Sequence, residues 1–500
     1  MVDIETYIRN SFSLEMKTKF SIDENEKFSE FDINSWIFIP NSLDINSSTY
    51  SKNQFYSDVK SKVRFITPIY RLEEIVNKGA IPYNNLRAAM LALCQTLDIE
   101  KKEGNLYEYE FQLKMFMAIF RSAIRDFISE VKQANDLNLM KEKVQLFIDS
   151  IEEIRTKFRQ LRDIISYRQE EEQVYNYFNF SDEFLSYAIL QHSFLLLNYL
   201  EASFKNQFSD LIIYLKDLIL TEKEYMAKNG YVDLIQGDKE NNQKVIYRHL
   251  MLNKYIESDL ILNSTKKRDG DGVLVQQIYY SLAAGTSMIF ATIVAFSFQQ
   301  KYGNFTMPLF VALVISYILK DRIKELMRFY FAGKLGGKYF DHKTAISIKD
   351  EKVGWIKEAV DFITDDKVPE EVLNIRSRSA LLEVENKIHN EKIILYRKKV
   401  RLDNINAMKE ETYSFEGIND IVNFNITRIA QRMDNPHITG YTLSELSSKG
   451  QVEMVLADKV YYLNVIVQFK NLDQVAYRRF RMLVQRTGIQ KIEELPIEVD

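Results

Sequence analysis

The stretch GVLVQQIYYSLAAGTSMIFATIVAFSFQQ, residues 272–300, holds 29 consecutive residues without a charge. It is the strongest single indication of the fold in the sequence. As an α-helix it would be about 43 Å long at ~1.5 Å per residue, more than the roughly 30 Å hydrocarbon core of a bilayer requires. After Lys301 and the turn-like patch YGNFT, a second uncharged stretch, MPLFVALVISYIL, ends at Leu319. Its Pro308 suits the first turn of a helix. Two apolar helices joined by a short turn predict a transmembrane helical hairpin over residues 277–319.

Basic side chains flank this predicted hairpin on both sides, whereas the turn between its helices holds only Lys301. The flanking cations are Lys266, Lys267, Arg268, Lys320, Arg322, Lys324, Arg328, Lys334 and Lys338, diluted by Asp321 and Glu325. Because basic residues concentrate on the cytoplasmic side of a membrane, both termini are predicted to be cytoplasmic and the turn external. The expected location is the cell (inner) membrane.

Small residues recur every four positions in the first predicted helix, at Ala283, Ser287, Ala291 and Ala295, and the second offers Ala312 and Ser316. Such a stripe lets helix backbones approach closely in lipid. It predicts either packing of the hairpin on itself, which we favour, or contact between copies of the chain.

Two other interpretations of the apolar segments remain open. The frequent Ser, Thr and Gln of the first stretch also suit a hairpin buried inside a large soluble helical protein. A further uncharged segment, residues 184–200, has the length of a minimal span, but Gln191, His192 and Asn198 would be costly in lipid. We interpret that segment as a buried core helix of a soluble region.

Periodicity divides the rest of the chain into four further parts. Residues 1–70 read as a mixed α/β segment with a short buried strand at 35–40. Residues 71–265 read as a cytoplasmic helical bundle, 320–345 as a juxtamembrane amphipathic helix, and 346–500 as an α+β cytoplasmic domain. The predicted fold class is thus a mixed membrane protein: a mainly α-helical N-terminal cytoplasmic region, a two-helix transmembrane hairpin and a small α+β C-terminal domain.

Sequence patterns at both ends of the chain resemble those of a family of uncharacterised bacterial membrane proteins. The N-terminal pattern comprises Tyr50, Phe55, Tyr56, Asp58, Arg64, Phe65, Thr67 and Pro68; the C-terminal pattern comprises VYYLNV at 460–465 and YRRFR at 477–481. The resemblance implies membrane residence and carries no activity and no functional residue.

Catalytic and metal-binding signatures are weak throughout. None of the five histidines stands in a His-Glu-x-x-His spacing, and the pair Glu385 and His389 is more simply a solvated helix face. Residues 333–339, GKLGGKY, lack the spacing and the Ser or Thr of a phosphate-binding loop. The single cysteine, Cys94, excludes an intrachain disulfide. No catalytic, cofactor-binding or metal-binding residue is predicted, and no cofactor.

The most suggestive polar cluster is YRRFR at 477–481. On a strand, Arg479 and Arg481 would share one face, and Arg397 and Lys399 would extend the patch if their strand lay alongside. Such a patch is a candidate anion-binding site for a headgroup, a nucleotide or RNA phosphate, although we favour an ordinary solvated sheet face as its explanation.

These observations lead to a ranked set of functional hypotheses. The first is a membrane-anchored cytoplasmic scaffold or sensor without its own catalysis, whose partners are the lipid bilayer and a protein partner or second copy. A membrane-bound enzyme with a site assembled from distant residues is the alternative, and a small channel or transporter subunit the third. The net charge of −4 gives no global attraction to nucleic acid, so no specific nucleic acid is predicted.

Overall fold

A computed structural model describes most of the chain. The described residues are 2–21, 27–77, 79–95, 99–166, 172–267, 271–335, 339–348, 351–388, 390–403, 413, 415–443, 452–471 and 474–497. They form two compact units. A sheet unit combines Met1–Val63, Leu262–Ala407 and Gly417–Asp500, and a helical unit combines Arg64–Ile261 with Met408–Glu416.

The sheet unit is built around antiparallel strands. In chain order the strands are β1 (Val2–Asn10), β2 (Ser13–Ser21), β3 (Phe28–Ile39), β4 (Val59–Phe65), β5 (Asn263–Lys267), β6 (His342–Ile348), β7 (Glu351–Ile363), β8 (Lys392–Asp403), β9 (Gly417–Asn425), β10 (His437–Leu443), β11 (Val452–Asp458), β12 (Tyr461–Asn471), β13 (Gln474–Gln485) and β14 (Gly488–Leu495). Eight of them form one sheet in the order β14-β13-β12-β3-β8-β7-β6-β5. A second sheet has the order β1-β2-β9-β4, and β10 and β11 form a two-stranded sheet.

Strand β3 lies inside the large sheet, although it comes from the first 40 residues of the chain. Trp36 pairs with Ile466 of β12 on one side and with Leu395 of β8 on the other. The run WIFI at 36–39 is buried, as expected for a strand covered on both faces. Trp36, Phe38, Ile393 and Ile466 form one hydrophobic core with Val372.

Short helices complete the sheet unit. They are α1 (Lys52–Asp58), α11 (Glu370–Arg376), α12 (Ala380–Ile388) and α13 (Thr427–Ala430). Helix α1 begins at a capping box, in which the Ser51 hydroxyl accepts from the Gln54 N–H and the Gln54 side chain accepts from the Ser51 N–H. Helix α11 supplies Val372 to the hydrophobic core under the large sheet.

The helical unit contains α2 (Ile81–Gln95), α3 (Ile99–Gln133), α4 (Leu137–Gln160), α5 (Arg162–Ile165), α6 (Glu172–Phe204), α7 (Ser209–Lys228) and α8 (Lys239–Glu257). Its core includes a stack of three aromatic rings from α3, α4 and α6. The ring centre of Phe158 lies 5.6 Å from that of Phe116 and 5.0 Å from that of Phe178. Residues 184–200 belong to α6, and most of their apolar side chains are buried. This placement agrees with the core helix predicted there.

Two long helices leave the large sheet after β5 and return to it at β6. They are α9 (Asp271–Tyr302) and α10 (Met307–Leu335), and they pack against each other. The turn between them uses the left-handed conformation at Gly303 (φ 73°) and Phe305 (φ 63°). Helix α10 continues past residue 320 without a break, so the predicted juxtamembrane helix at 320–345 begins inside it.

The predicted fold class is wrong. The N-terminal region is not mainly helical, because β1–β4 belong to sheets shared with the C-terminal half, which therefore does not form a separate small domain. Only one described helix, Gln277–Tyr302, is long and apolar enough to cross a membrane, with a mean hydropathy of 1.7. The two-helix transmembrane hairpin is thereby corrected to a single candidate span, since Lys320, Asp321 and Arg322 interrupt the apolar character of α10.

The close pairing of β7 and β8 gives a test of this fold. A Cβ at Gly354 would lie 2.2 Å from the backbone carbonyl oxygen of Arg401, an atom that cannot move without disrupting the sheet. We expect Gly354→Ala to lower the free energy of unfolding by roughly 1–3 kcal/mol. Gly440→Ala is the matched strand control, because its nearest atom would be 3.7 Å away. Chemical denaturation measures both variants, and an unaltered Gly354→Ala protein would contradict the β7–β8 register.

Candidate functional site

The outer surface of α9 and α10 carries many exposed apolar side chains. Only 11% of the apolar window of α9 is buried, so the described protein leaves this helix uncovered. The exposed apolar side chains are Ile278, Leu282, Met288, Ile289, Ile293, Phe296, Met307, Phe310, Val311, Leu313, Val314, Ile315, Ile318 and Leu319. Contiguous apolar surface of this extent marks a site of contact with lipid or protein. The interpretation as a buried soluble hairpin does not fit this exposure.

The predicted stripe of small residues lies where α9 and α10 meet. Ala283 and Ser287 of α9 are buried, as are Ala312 and Ser316 of α10. The Ser316 hydroxyl donates to the carbonyl oxygen of Ala291, 3.5 Å away. Ala295, the last member of the stripe, is half-buried. The small side chains thus serve the contact within one chain, the first of the two roles expected for them.

The two ends of the α9–α10 pair differ in chemistry. At the turn, the Gln299 amide donates to Asn304 over 2.7 Å, and Phe305 and Met307 project into solvent. Towards the sheet, cations lie over aromatic rings: the Lys320 ammonium is 4.0 Å from the Tyr317 ring centre, and Arg328 is 5.2 Å from that of Tyr280. Aromatic rings paired with snorkelling cations are typical of a membrane–water interface.

The candidate anion patch is dispersed by the sheet topology. Arg397 and Lys399 lie on β8, and Arg479 and Arg481 on β13, with β12 and β3 between the two strands. The predicted faces are as expected, because Phe480 and Met482 are buried while Arg479 and Arg481 are half-exposed. The two pairs would form one patch only if β8 and β13 were neighbours, and they are not.

Most of these cations already have anionic partners within the chain. Arg397 pairs with Asp361 at 2.9 Å, Lys399 with Glu30 at 3.0 Å, and Arg481 with Glu493 at 2.6 Å. Arg479 instead donates to the carbonyl oxygen of Arg376 at 2.8 Å. Burial, together with the nearby guanidinium groups of Arg376 and Arg481, lowers the pKa of Arg479.

A buried ionic network, which the sequence did not reveal, surrounds Lys398. Its ammonium is enclosed between Asp420, with which it makes a short ion pair, and Glu358 at 3.6 Å, and it donates to the Ser61 hydroxyl at 3.1 Å. Tyr396 donates to Glu358. Although burial lowers it, the charges of the two carboxylates raise the pKa of Lys398. The network joins β4, β7, β8 and β9, and so connects the two sheets of the unit.

A neighbouring network attaches α1 to the large sheet. The Lys52 ammonium lies 3.1 Å from both Asp341 and Asp361, and Tyr56 donates to Asp341 at 2.9 Å. Asp341 also accepts from the backbone N–H of Val360. Both networks combine residues from opposite ends of the chain, which no local pattern could have connected.

The helical unit has an ionic centre of its own. Asp182 and Glu222 are completely buried, and Arg159 donates to both of them. Tyr225 and Tyr231 also donate to Asp182, at 2.6 and 3.0 Å. Burial and the Asp182 carboxylate raise the pKa of both tyrosines. Both carboxylates already accept hydrogen bonds from side chains of the unit. The arrangement therefore suits a structural role, the joining of α4, α6 and α7, better than a catalytic one.

The residues weighed for catalysis or metal binding remain scattered. His192 is hydrogen-bonded to the Ala188 carbonyl oxygen, Cys94 donates to that of Ile164, and His389 lies outside the described residues, as do 336–338 of the glycine-rich segment. Within the described residues no group of three His, Cys, Asp or Glu side chains has the geometry of a metal site. A cleft of about 390 Å³ in the helical unit contains Glu73, Asp126 and Glu130 but none of the five histidines.

Comparisons with known proteins give no match. No protein-family model, no curated protein and no solved structure corresponds to this chain. The resemblance to uncharacterised bacterial membrane proteins therefore stays a prediction, and any function has to be argued from the geometry itself.

Removal of the buried ammonium tests the network around Lys398. We expect Lys398→Met to lower the free energy of unfolding by about 3–5 kcal/mol, because Asp420 is left buried without its counter-ion. Lys399→Met is the matched control: its ammonium pairs with Glu30 on a partly exposed surface, where the loss should stay below about 1 kcal/mol. Equal effects of the two substitutions in denaturant unfolding would mean that Lys398 is solvated.

The pH dependence of unfolding tests His249, which is buried against the Tyr187 ring. Neither ring nitrogen has a hydrogen-bond partner among the residues that the structure describes. Burial lowers the pKa of His249, and the Arg248 charge adds to this effect, while Glu183 and Asp233 oppose it. The unfolded state therefore takes up a proton first, so stability is complete above about pH 6.5 and falls as the pH is lowered.

We expect His249→Phe to reduce this slope by at most ~1.4 kcal/mol per pH unit. His437→Gln serves as the control, because that ring is exposed in the folded protein. Unfolding curves at pH 7, 6 and 5 make the measurement, and an unaltered slope in His249→Phe would show that the ring is protonated in the folded state.

Proposed function

We propose that this protein is a membrane-tethered scaffold or sensor that acts through binding and not through its own catalysis. The observation that supports the tether is the exposure of α9, a helix of membrane-spanning length of which the chain itself covers little. Exposed apolar surface on this scale is unfavourable in water, at about 25 cal/mol for each Å². A bilayer is the environment that removes that surface from water along the whole length of the helix.

The connection of α9 and α10 to the sheet supports a particular arrangement of this tether. β5 precedes α9 and β6 follows α10, and these strands pair directly, with Lys267 opposite Lys343. Both ends of the α9–α10 segment are therefore held at one edge of the large sheet, with α9 as the candidate span. The cations between residues 266 and 338 favour the cytoplasmic side for the sheet unit, and hence for both termini.

The scaffold role follows from what the two units offer. Their ionic clusters are satisfied internally and link strands or helices to one another, as structural networks do. The sheet unit presents a broad apolar tether and the helical unit a large solvated surface. We therefore assign the protein the task of holding a partner or a second copy at the membrane.

Cell fractionation with a charge placed on α9 tests this proposal. We expect the unaltered chain to stay in the membrane pellet after carbonate washing. The double variant Ile289→Lys, Ile293→Lys should be released or degraded, because a Lys in the hydrocarbon core costs about 2.5–3.5 kcal/mol. In a protein dissolved in water, the same exposed positions would tolerate Lys.

Ile213→Lys is the matched control, since Ile213 of α7 is 64% exposed and Ile293 is 58% exposed. This control should pellet like the unaltered chain. Release of the unaltered chain by carbonate, or pelleting of the double variant, would overturn the tether.

A further inference from the structure

The hairpin of β10 and β11, called here the ribbon, is the most exposed β-structure of the sheet unit. Its strands pair regularly from His437 opposite Asp458 to Leu443 opposite Val452, without a bulge. Every described ribbon side chain is exposed, and none of the other strands that the structure describes joins the pair. An isolated two-stranded hairpin is at best marginally stable in water, so this ribbon gains stability when another surface covers it.

One face of the ribbon is apolar. Because paired residues share a face, Tyr441 and Met454 lie side by side, flanked by Leu443 with Val452 and by Thr439 with Leu456. The exposed fractions of the five large apolar side chains run from 62% for Leu456 to 74% for Tyr441. The opposite face carries Ile438, Val455 and Ala457 together with Gly440, Thr442 and Glu453, so it has only two large apolar side chains and a carboxylate. This difference identifies the Tyr441–Met454 side as the binding face.

We propose that the ribbon is a self-association element, and that its binding face packs against the same face of a second copy of this chain. The only ionisable side chains on this face, His437 and Asp458, pair with each other at one end of it. An apolar face of this kind is self-complementary under a two-fold axis, the symmetry of most homodimers.

The size of the binding face fits a reversible dimer. Burying an aliphatic side chain removes about 60–120 Å² of apolar surface and an aromatic one more, so five side chains bury on the order of 400–700 Å² per copy. Specific interfaces bury about 800 Å² per partner, and transient ones less. The ribbon thus lies at the lower end of specific interfaces, where association depends on concentration.

Lipid is a less suitable cover for the ribbon than a second copy. Residues 444–451, which join the two strands, read SELSSKGQ and include Glu445 and Lys449. Both strands also keep unpaired backbone groups along their outer edges, and these groups find no partner in hydrocarbon. A face-to-face contact between ribbons leaves those edges in water. The inference stands independently of the membrane tether proposed for α9.

Cysteine crosslinking of the full-length protein in a mild detergent tests the contact. In a Cys94→Ser background, Met454→Cys places a thiol near the two-fold axis, and we expect mild oxidation to give a covalent dimer. Thr442→Cys, on the opposite face, is the matched control and should stay monomeric. Equal crosslinking at both positions, or none at Met454→Cys, would refute the proposed face.

Equilibrium sedimentation supplies the second measurement. We expect the unaltered chain to dimerise reversibly, Met454→Lys to raise the dimer Kd at least tenfold, and Thr442→Lys to change it less than twofold. Circular dichroism confirms that each variant is folded. A monomeric unaltered chain would reject self-association and assign the ribbon to another protein. If Met454→Lys lost vesicle binding without a change in the dimer Kd, the ribbon would be assigned to lipid and self-association would again be rejected.

Discussion

The pairing of β3 with β8 on one side and β12 on the other is the constraint on which the sheet unit depends. It brings residues 28–39 between strands that lie more than 350 positions further along the chain, and it buries Trp36 and Phe38 against Ile393 and Ile466. Non-local pairing of this kind gains nothing until the long loop between the partners is closed, so its stability comes from the completed core.

The same sheet determines how α9 and α10 are presented. The two helices connect the adjacent strands β5 and β6, so both ends of the helix pair are held at one edge of the sheet. Their mutual contact buries the small residues Ala283, Ser287, Ala312 and Ser316 and turns the large apolar side chains outward. The tether that we propose rests on this geometry, together with the distribution of lysine and arginine around it.

The sequence predicted those features whose signal is local. An uncharged stretch marks α9, the apolar run at 184–200 marks the buried centre of α6, and the alternation along 477–485 marks β13 with its correct faces.

The partners of β3 were not predictable, because a strand pattern carries no information about a neighbour 434 residues away, the separation of Asn34 and Gln468. The prediction of two spans failed at α10, whose apolar half was too short to compensate for the charges from Lys320 onward. The supposed patch of Arg397 and Arg479 required a strand order that only the folded sheet defines, and the same holds for the network around Lys398.

Disulfide trapping across the central seam tests this account most directly. Asn34 donates to Gln468 at 2.9 Å across β3 and β12, and side chains paired in this way have Cβ atoms about 4.5–5.5 Å apart. In a Cys94→Ser background, Asn34→Cys with Gln468→Cys should form an intrachain disulfide, whereas Asn34→Cys with Val467→Cys should not, because Val467 points to the opposite face. Efficient crosslinking of the first pair alone is the expected result. No crosslink, or equal crosslinking of both pairs, would contradict the placement of the N-terminal strand in the C-terminal sheet.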